Sequence, residues 1–133
     1  MSLDQAMIQD EVEVSIVLPC LNEADTLAAC IERAQDALEE SGIRGEIIVA
    51  DNGSTDSSPE IARRLQTRLI DVPEKGYGSA LMGGIEAASG RFVIMADADQ
   101  SYDLAEVPKF VERLREGYDL VMGCRLDRGG GIT

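Results

Sequence analysis

Apolar residues along this chain switch repeatedly between short continuous runs and a three-to-four-residue spacing, so strand-like and helix-like segments take turns. An apolar run over residues 12–18, stopped by Pro19, predicts a first strand. Leu27, Cys30, Ile31, Ala34 and Leu38 then share one face of a helix over about 24–40 that ends before Gly42. Residues 46–50 predict a second strand. Ser58 as N-cap, with Pro59 at the first helical position, opens a second helix whose buried stripe is Ile61, Ala62 and Leu65. A third strand is expected over 68–72 and, after a loop over 73–78, a third helix that buries Leu81, Gly84, Ile85 and Ala88 and ends near Gly90. A fourth strand over 91–96 precedes a helix starting near Pro108, marked by Val107, Phe110, Val111 and Leu114 and closed by Arg115 and Gly117. Residues 119–123 predict a fifth strand. Five strands alternating with four helices is the pattern of an α/β fold, a Rossmann-like, mostly parallel sheet flanked by helices.

At 133 residues and 44% hydrophobic content the chain is one domain's worth, able to bury about two-thirds of its unfolded surface. Its 12 Lys and Arg against 25 Asp and Glu leave a net charge of −13. That balance argues against non-specific binding of nucleic acid or of an anionic membrane, and a phosphate-bearing ligand would need local cations or a metal ion. With no His, imidazole zinc sites, Ser-His-Asp triads and Cys-His dyads are excluded, and carboxylates must carry the chemistry. Cys20, Cys30 and Cys124 are odd in number and set among apolar residues, which reads as buried thiols of a reducing, cytoplasmic compartment. Residues 1–13 are acidic and lack an apolar core, so they do not read as a signal peptide, and Met1-Ser2-Leu3 has the look of an expression scar. No apolar run approaches the ~20 residues that span a bilayer, so the chain as given is expected to be soluble. Residues 127–133, with three consecutive glycines, read as a linker. The topology still looks open there, so the chain is expected to be the front part of something longer.

In an open parallel sheet ligands bind beyond the carboxyl ends of the strands, and the polar clusters fall there. They are Pro19-Cys20-Leu21-Asn22-Glu23, Asp51-Asn52-Gly53-Ser54-Thr55-Asp56, Glu74-Lys75-Gly76-Tyr77-Gly78-Ser79 and Asp97-Ala98-Asp99-Gln100. Each has a bland reading. Asn22-Glu23 serves equally as a helix cap, and residues 51–56 as an Asn-Gly turn. Gly76-Tyr77-Gly78 starts like a dinucleotide fingerprint, but Leu81 stands where the third glycine belongs. Asp97 and Asp99 could be solvated loop carboxylates. As residues i and i+2 of an extended segment, however, they aim at one point, where two anions repel unless a cation joins them. Hard oxygen ligands without thiolate or imidazole suit magnesium or manganese.

The ordered set Ser15-Ile16-Val17-Leu18-Pro19, Leu21-Asn22-Glu23, Asp51-Asn52-Gly53-Ser54-Thr55-Asp56, Lys75-Gly76-Tyr77-Gly78 and Asp97-Ala98-Asp99 resembles the family-two, GT-A-fold glycosyltransferases over residues 12–126. With Gly123-Cys124-Arg125, the wording is most similar to polyprenyl-phosphate sugar transferases of the dolichol-phosphate mannose synthase type. The resemblance implies a truncated GT-A domain, its nucleotide-sugar-binding half over 12–126 and its tail over 127–133. Pro19, Leu21 and Glu23 would line the nucleoside pocket, Asp51 would accept from the base, and Gly53 would allow close backbone approach. Lys75 and Gly76 would border the ribose and diphosphate. Asp97 would sit near the ribose and metal-bound water, Asp99 would ligate Mn2+ or Mg2+, and both count as catalytic. Implied partners are a nucleotide-diphosphate sugar and, in a longer protein at the cytoplasmic face of a membrane, a polyprenyl-phosphate acceptor of cell-envelope synthesis. The family inverts configuration in one displacement, with acceptor machinery in a second half, so donor binding without transfer is expected of the 133 residues alone. One departure is Ser101, with Gln100 before it, where many relatives carry a metal-facing polar residue such as Gln.

Two other readings compete. Asp97-Ala98-Asp99-Gln100-Ser101 after an apolar strand resembles the nucleophile motif of haloacid-dehalogenase phosphatases. That motif normally follows a first strand, and its later Lys and acidic pair have no counterpart after residue 101. A non-catalytic nucleotide-binding module is the third possibility.

Overall fold

The computed structural model describes residues 11–99 and 103–117. Four parallel strands, β1 (Val14–Cys20), β2 (Gly45–Asp51), β3 (Arg68–Asp71) and β4 (Phe92–Met95), form one sheet in the order β3-β2-β1-β4. Between them run α1 (Ala24–Ser41), α2 (Ser58–Arg64) and α3 (Tyr77–Ala87), and after β4 a 3-10 turn (Leu104–Glu106) leads into α4 (Val107–Arg115). The expected fifth strand over 119–123, Cys124 and the glycine tail lie outside the described residues.

The register explains the layering. All seven residues of β1 are buried, as a central strand covered on both faces must be. Val14, Ile16, Leu18 and Cys20 pack with Ile47, Val49 and Ile94 into the core under α1, α2 and α4. Alternate positions turn to the opposite face, where Ala50, Val72 and Ala80 make a smaller cluster beneath α3. The expected stripe of α1 is buried as drawn, with Ala37 added. Cys20 and Cys30 are buried thiols.

Several expectations shift. β1 runs through Pro19 to Cys20 instead of stopping at Leu18. Val17 O accepts from Ala96 N and Cys20 O from Asn52 N, so odd residues face β4 and even ones β2. Pro19 thus faces the side where pairing with β4 has ended at Val17, and its missing N–H breaks no ladder bond. The α2 cap is Ser57, one residue before the expected Ser58. Leu65 falls just past α2 and is half-buried. In α3 the buried residues are Ala80 and Gly84, whereas Leu81, Ile85 and Ala88 are half-buried, and the helix stops at Ala87 rather than near Gly90. The helix lies too close to the sheet for larger groups: a Cβ on Gly84 would stand 2.3 Å from Val17 Cγ1.

At the amino edge, Glu46 ties three elements. Its Oε2 accepts from Ser15 Oγ at 2.6 Å and from both N and Oγ of Ser89 at 2.9 Å, while Oε1 accepts from Arg68 at 2.9 Å. Burial opposes ionisation there, but these donors outweigh it and hold the carboxyl at about 2.

Candidate functional site

The carboxyl ends of β1, β2 and β4 open into a cleft of about 410 Å³. It is lined by Pro19, Cys20, Leu21, Glu23, Asn52, Lys75, Gly76, Tyr77, Ala80, Asp97, Ala98 and Asp99. Seven of the nine expected site residues, Pro19, Leu21, Glu23, Lys75, Gly76, Asp97 and Asp99, therefore meet at one place. Asp51 and Gly53 stand beside it. Asp51 Oδ2 accepts from Gly53 N at 3.1 Å and Ser54 N at 3.0 Å, while its Oδ1 is buried without a partner. Gly53 has φ 96, and a Cβ added there would come 3.7 Å from Lys75 Nζ, so the lysine amine lies over the turn.

The caps differ from the sequence reading, for neither Asn22 nor Glu23 caps α1 with its side chain. Asn22, at φ 54, instead accepts at Oδ1 from Thr55 N at 2.8 Å and Asp56 N at 3.2 Å, bracing the loop after β2. Asp56 supplies the missing cap from 32 residues away, accepting from Ala24 N at 3.0 Å. Its other oxygen accepts from Ser58 N at 2.9 Å. Bonds from Ser58 and then from Ala24 hold its carboxyl below the ordinary range.

Asn52, which the sequence places in the Asp51–Asp56 cluster without a role of its own, lines the cleft and organises it. Its Nδ2 donates to Val72 O at 3.0 Å and Glu74 O at 2.8 Å, and its Oδ1 accepts from Gly76 N at 2.9 Å. One amide thus pins the segment that carries Lys75 to the end of β2. Tyr77, also unassigned by sequence, donates from its hydroxyl to Asp97 Oδ1 at 2.7 Å. Only its place within the Lys75–Gly78 cluster marked it in advance.

Negative charge gathers at the floor of the cleft. Burial pushes the Glu23 carboxyl above its ordinary value, and the charges of Asp99, Asp97 and Asp56 push the same way. Burial likewise raises the Cys20 thiol. Asp97 is half-buried and Asp99 exposed. Among the described residues no three acidic, Cys or His side chains come together as a metal cage. Two carboxylate residues nonetheless fit magnesium or manganese, which commonly take one or two protein carboxylates and complete their shell with water and substrate phosphate. Gln100 and Ser101 lie outside the described residues.

Residues 15–133 match the family described as glycosyl transferase family 2. The chain is 44% identical over 115 residues to the low-salt glycan biosynthesis hexosyltransferase Agl6 of Haloferax volcanii, covering 86% of this chain and 28% of that protein. It is 38% identical to the undecaprenyl-phosphate 4-deoxy-4-formamido-L-arabinose transferase of Pectobacterium carotovorum, covering 92% of this chain and 39% of that one. Among solved structures it resembles glucosyl-3-phosphoglycerate synthase from Mycobacterium tuberculosis in complex with Mn2+, UDP-glucose and phosphoglyceric acid. There the TM-score is 0.68 at 30% identity, covering 84% of this chain and 42% of that one. The chain spans less than half the length of these relatives.

Proposed function

The chain belongs to glycosyl transferase family 2, and we propose that its cleft holds the nucleotide-diphosphate sugar of a metal-dependent, inverting transfer. The observation that carries this reading is the meeting of Asp97, Asp99, Lys75 and Gly76 with Pro19, Leu21 and Glu23 in one cleft at the carboxyl edge of the sheet. Pro19 and Leu21 offer apolar surface to a base. Asp51, with one buried oxygen unpartnered, accepts a hydrogen bond from it. Lys75 and the N-terminus of α3, which has no acidic residue in its first turn, suit the diphosphate.

Asp97 and Asp99 are the residues that hold Mn2+ or Mg2+ against the diphosphate. Bound there, the ion stabilises the negative charge that grows on the leaving diphosphate. The protein's own part is to fix the two carboxylates, seat the base and keep Lys75 over the phosphates, so that donor geometry is set before an acceptor arrives. Family membership removes the phosphatase alternative.

A polyprenyl phosphate is our choice of acceptor for the whole protein. It follows the undecaprenyl-phosphate transferase relative at 38% identity rather than the phosphoglycerate synthase at 30%. A whole protein at the cytoplasmic face of a membrane goes with it. No helix among the described residues is long and apolar enough to cross a membrane.

A thermal-shift panel of UDP-, GDP-, CDP- and TDP-linked sugars, with and without manganese, tests the donor assignment. A ligand at 100 times its dissociation constant adds about 2.7 kcal/mol of stability. One base should stabilise the chain strongly in manganese and weakly in chelator. No response to any of the four would overturn the reading.

A further inference from the structure

Tyr77 opens α3, and its hydroxyl donates to Asp97 Oδ1 at 2.7 Å across the mouth of the cleft. Tyr77 is 59% exposed. The backbone before it is held: Gly76, at φ 119, turns the chain into α3, and Gly76 N is anchored on Asn52 Oδ1. The tyrosine therefore links the end of β2 to the end of β4, reaching over the central strand β1.

We infer that Tyr77 is a positioning residue for metal-dependent donor binding, its hydroxyl fixing the Asp97 carboxylate in the orientation that the ion and the ribose side of the donor require. This rests on the proposed donor site. The chemistry of the residue suits the task. Asp97 shares the cleft with Asp99 and Glu23. A lysine or arginine at position 77 would orient Asp97 equally well, but its charge would cancel the field that attracts a divalent cation. A phenol supplies one hydrogen bond and no net charge. Its rigid ring carries that donor across the cleft on only two side-chain torsions, so little freedom remains to be lost when the donor binds.

Tyr77→Phe removes the hydroxyl and keeps the ring and the start of α3. Mn2+ affinity of the 133-residue chain in the presence of UDP, with GDP as second probe, is read by electron paramagnetic resonance of free Mn2+. Nucleotide affinity is read by calorimetry in manganese and in excess chelator. The manganese-dependent affinity should fall about three- to tenfold, the scale of one exposed hydrogen bond. Affinity in chelator should not move. Unchanged manganese dependence would overturn the inference. So would an equal loss with and without metal, which would make the hydroxyl a direct nucleotide contact. Wild-type affinity for both probes that is indifferent to manganese would overturn the donor-site reading itself, and this inference with it.

Discussion

Asn52 gives the sharpest test of how the cleft is built, because its three hydrogen bonds dictate what each substitution must do. The side chain is buried, and its amide orientation is fixed by its partners: two carbonyl oxygens demand the NH2, one N–H demands the oxygen. Asn52→Ala removes all three bonds. At about 1 kcal/mol net for each, with Val72 O left in a buried position, the loss should be about 2–4 kcal/mol in urea-induced unfolding. Asn52→Asp keeps the acceptor for Gly76 N but replaces the donor by an anion facing the carbonyl oxygens of Val72 and Glu74. The near-isosteric change should therefore cost at least ~1 kcal/mol more than the truncation, since an unpaired buried charge is worse than a small void. Asn52→Ala frees the segment carrying Lys75 from this anchor, so its nucleotide affinity by calorimetry should fall by at least about tenfold from the cost of re-ordering a few residues. An Asp variant as stable as the Ala variant, or losses below 1 kcal/mol in both, would refute the reasoning.

Asp51→Ala should weaken nucleotide binding by ~1–3 kcal/mol, the cost of leaving a buried polar partner unpaired. Unchanged affinity with native circular dichroism would reduce the Asp51 turn to a structural one. Asp99→Ala should abolish the manganese-dependent part of nucleotide binding while leaving the fold intact, since Asp99 is exposed. Equal affinity in chelator and in manganese for the wild type would remove the metal assignment. Glu46 predicts an acid limb: its folded carboxyl sits at about 2 against an ordinary 4.5, so the stability it contributes is complete above pH 4.5 and drains as pH falls towards 2. Partial exposure at the sheet edge reduces this to about 1–2 kcal/mol. Glu46→Gln should therefore lower stability at pH 7 and flatten the loss between pH 4.5 and 2, as followed by urea unfolding at each pH.

Elements whose signal is periodic were legible in the sequence. The apolar runs of β1 and β2 and the stripe of α1 depend on burial that repeats every two or every three to four residues, and each appears within a few residues of its expected bounds. Legibility failed where the deciding contact is distant. Pro19 normally ends a strand, yet here it lies where β4 has run out, which depends on the length of a strand more than 70 residues later. The α3 stripe expected from the sequence runs through Leu81, Gly84, Ile85 and Ala88. Of these only Gly84 is buried, joined by Ala80, because close approach of helix to sheet favours small residues, and only the register against Val17 reveals that. The site divides the same way. Asp97 and Asp99 belong to a short local motif that can be read in the sequence and they line the cleft, whereas Asn52, Tyr77 and the cap Asp56 act through partners 20 to 32 residues distant.

The two edges of the sheet handle charge in opposite ways, and that contrast bears on what the cleft is for. At the amino edge Glu46 is ringed by hydroxyls, an amide and Arg68, so its charge is fully matched and its carboxyl is held low. At the carboxyl edge Glu23 is pushed up, first by burial and then by the charges of Asp99, Asp97 and Asp56. A chain of net charge −13 has no electrostatic reason to concentrate more negative charge in a concave site, because self-repulsion there costs stability. The cost is recovered if a divalent cation enters with its ligand and converts repulsion into coordination. On that account the cleft is destabilising when empty and stabilising when filled. Manganese with a nucleotide diphosphate should then raise the unfolding midpoint more than the sum of their separate effects, and a strictly additive response would mean that the acidic floor serves some end other than holding a bridging ion.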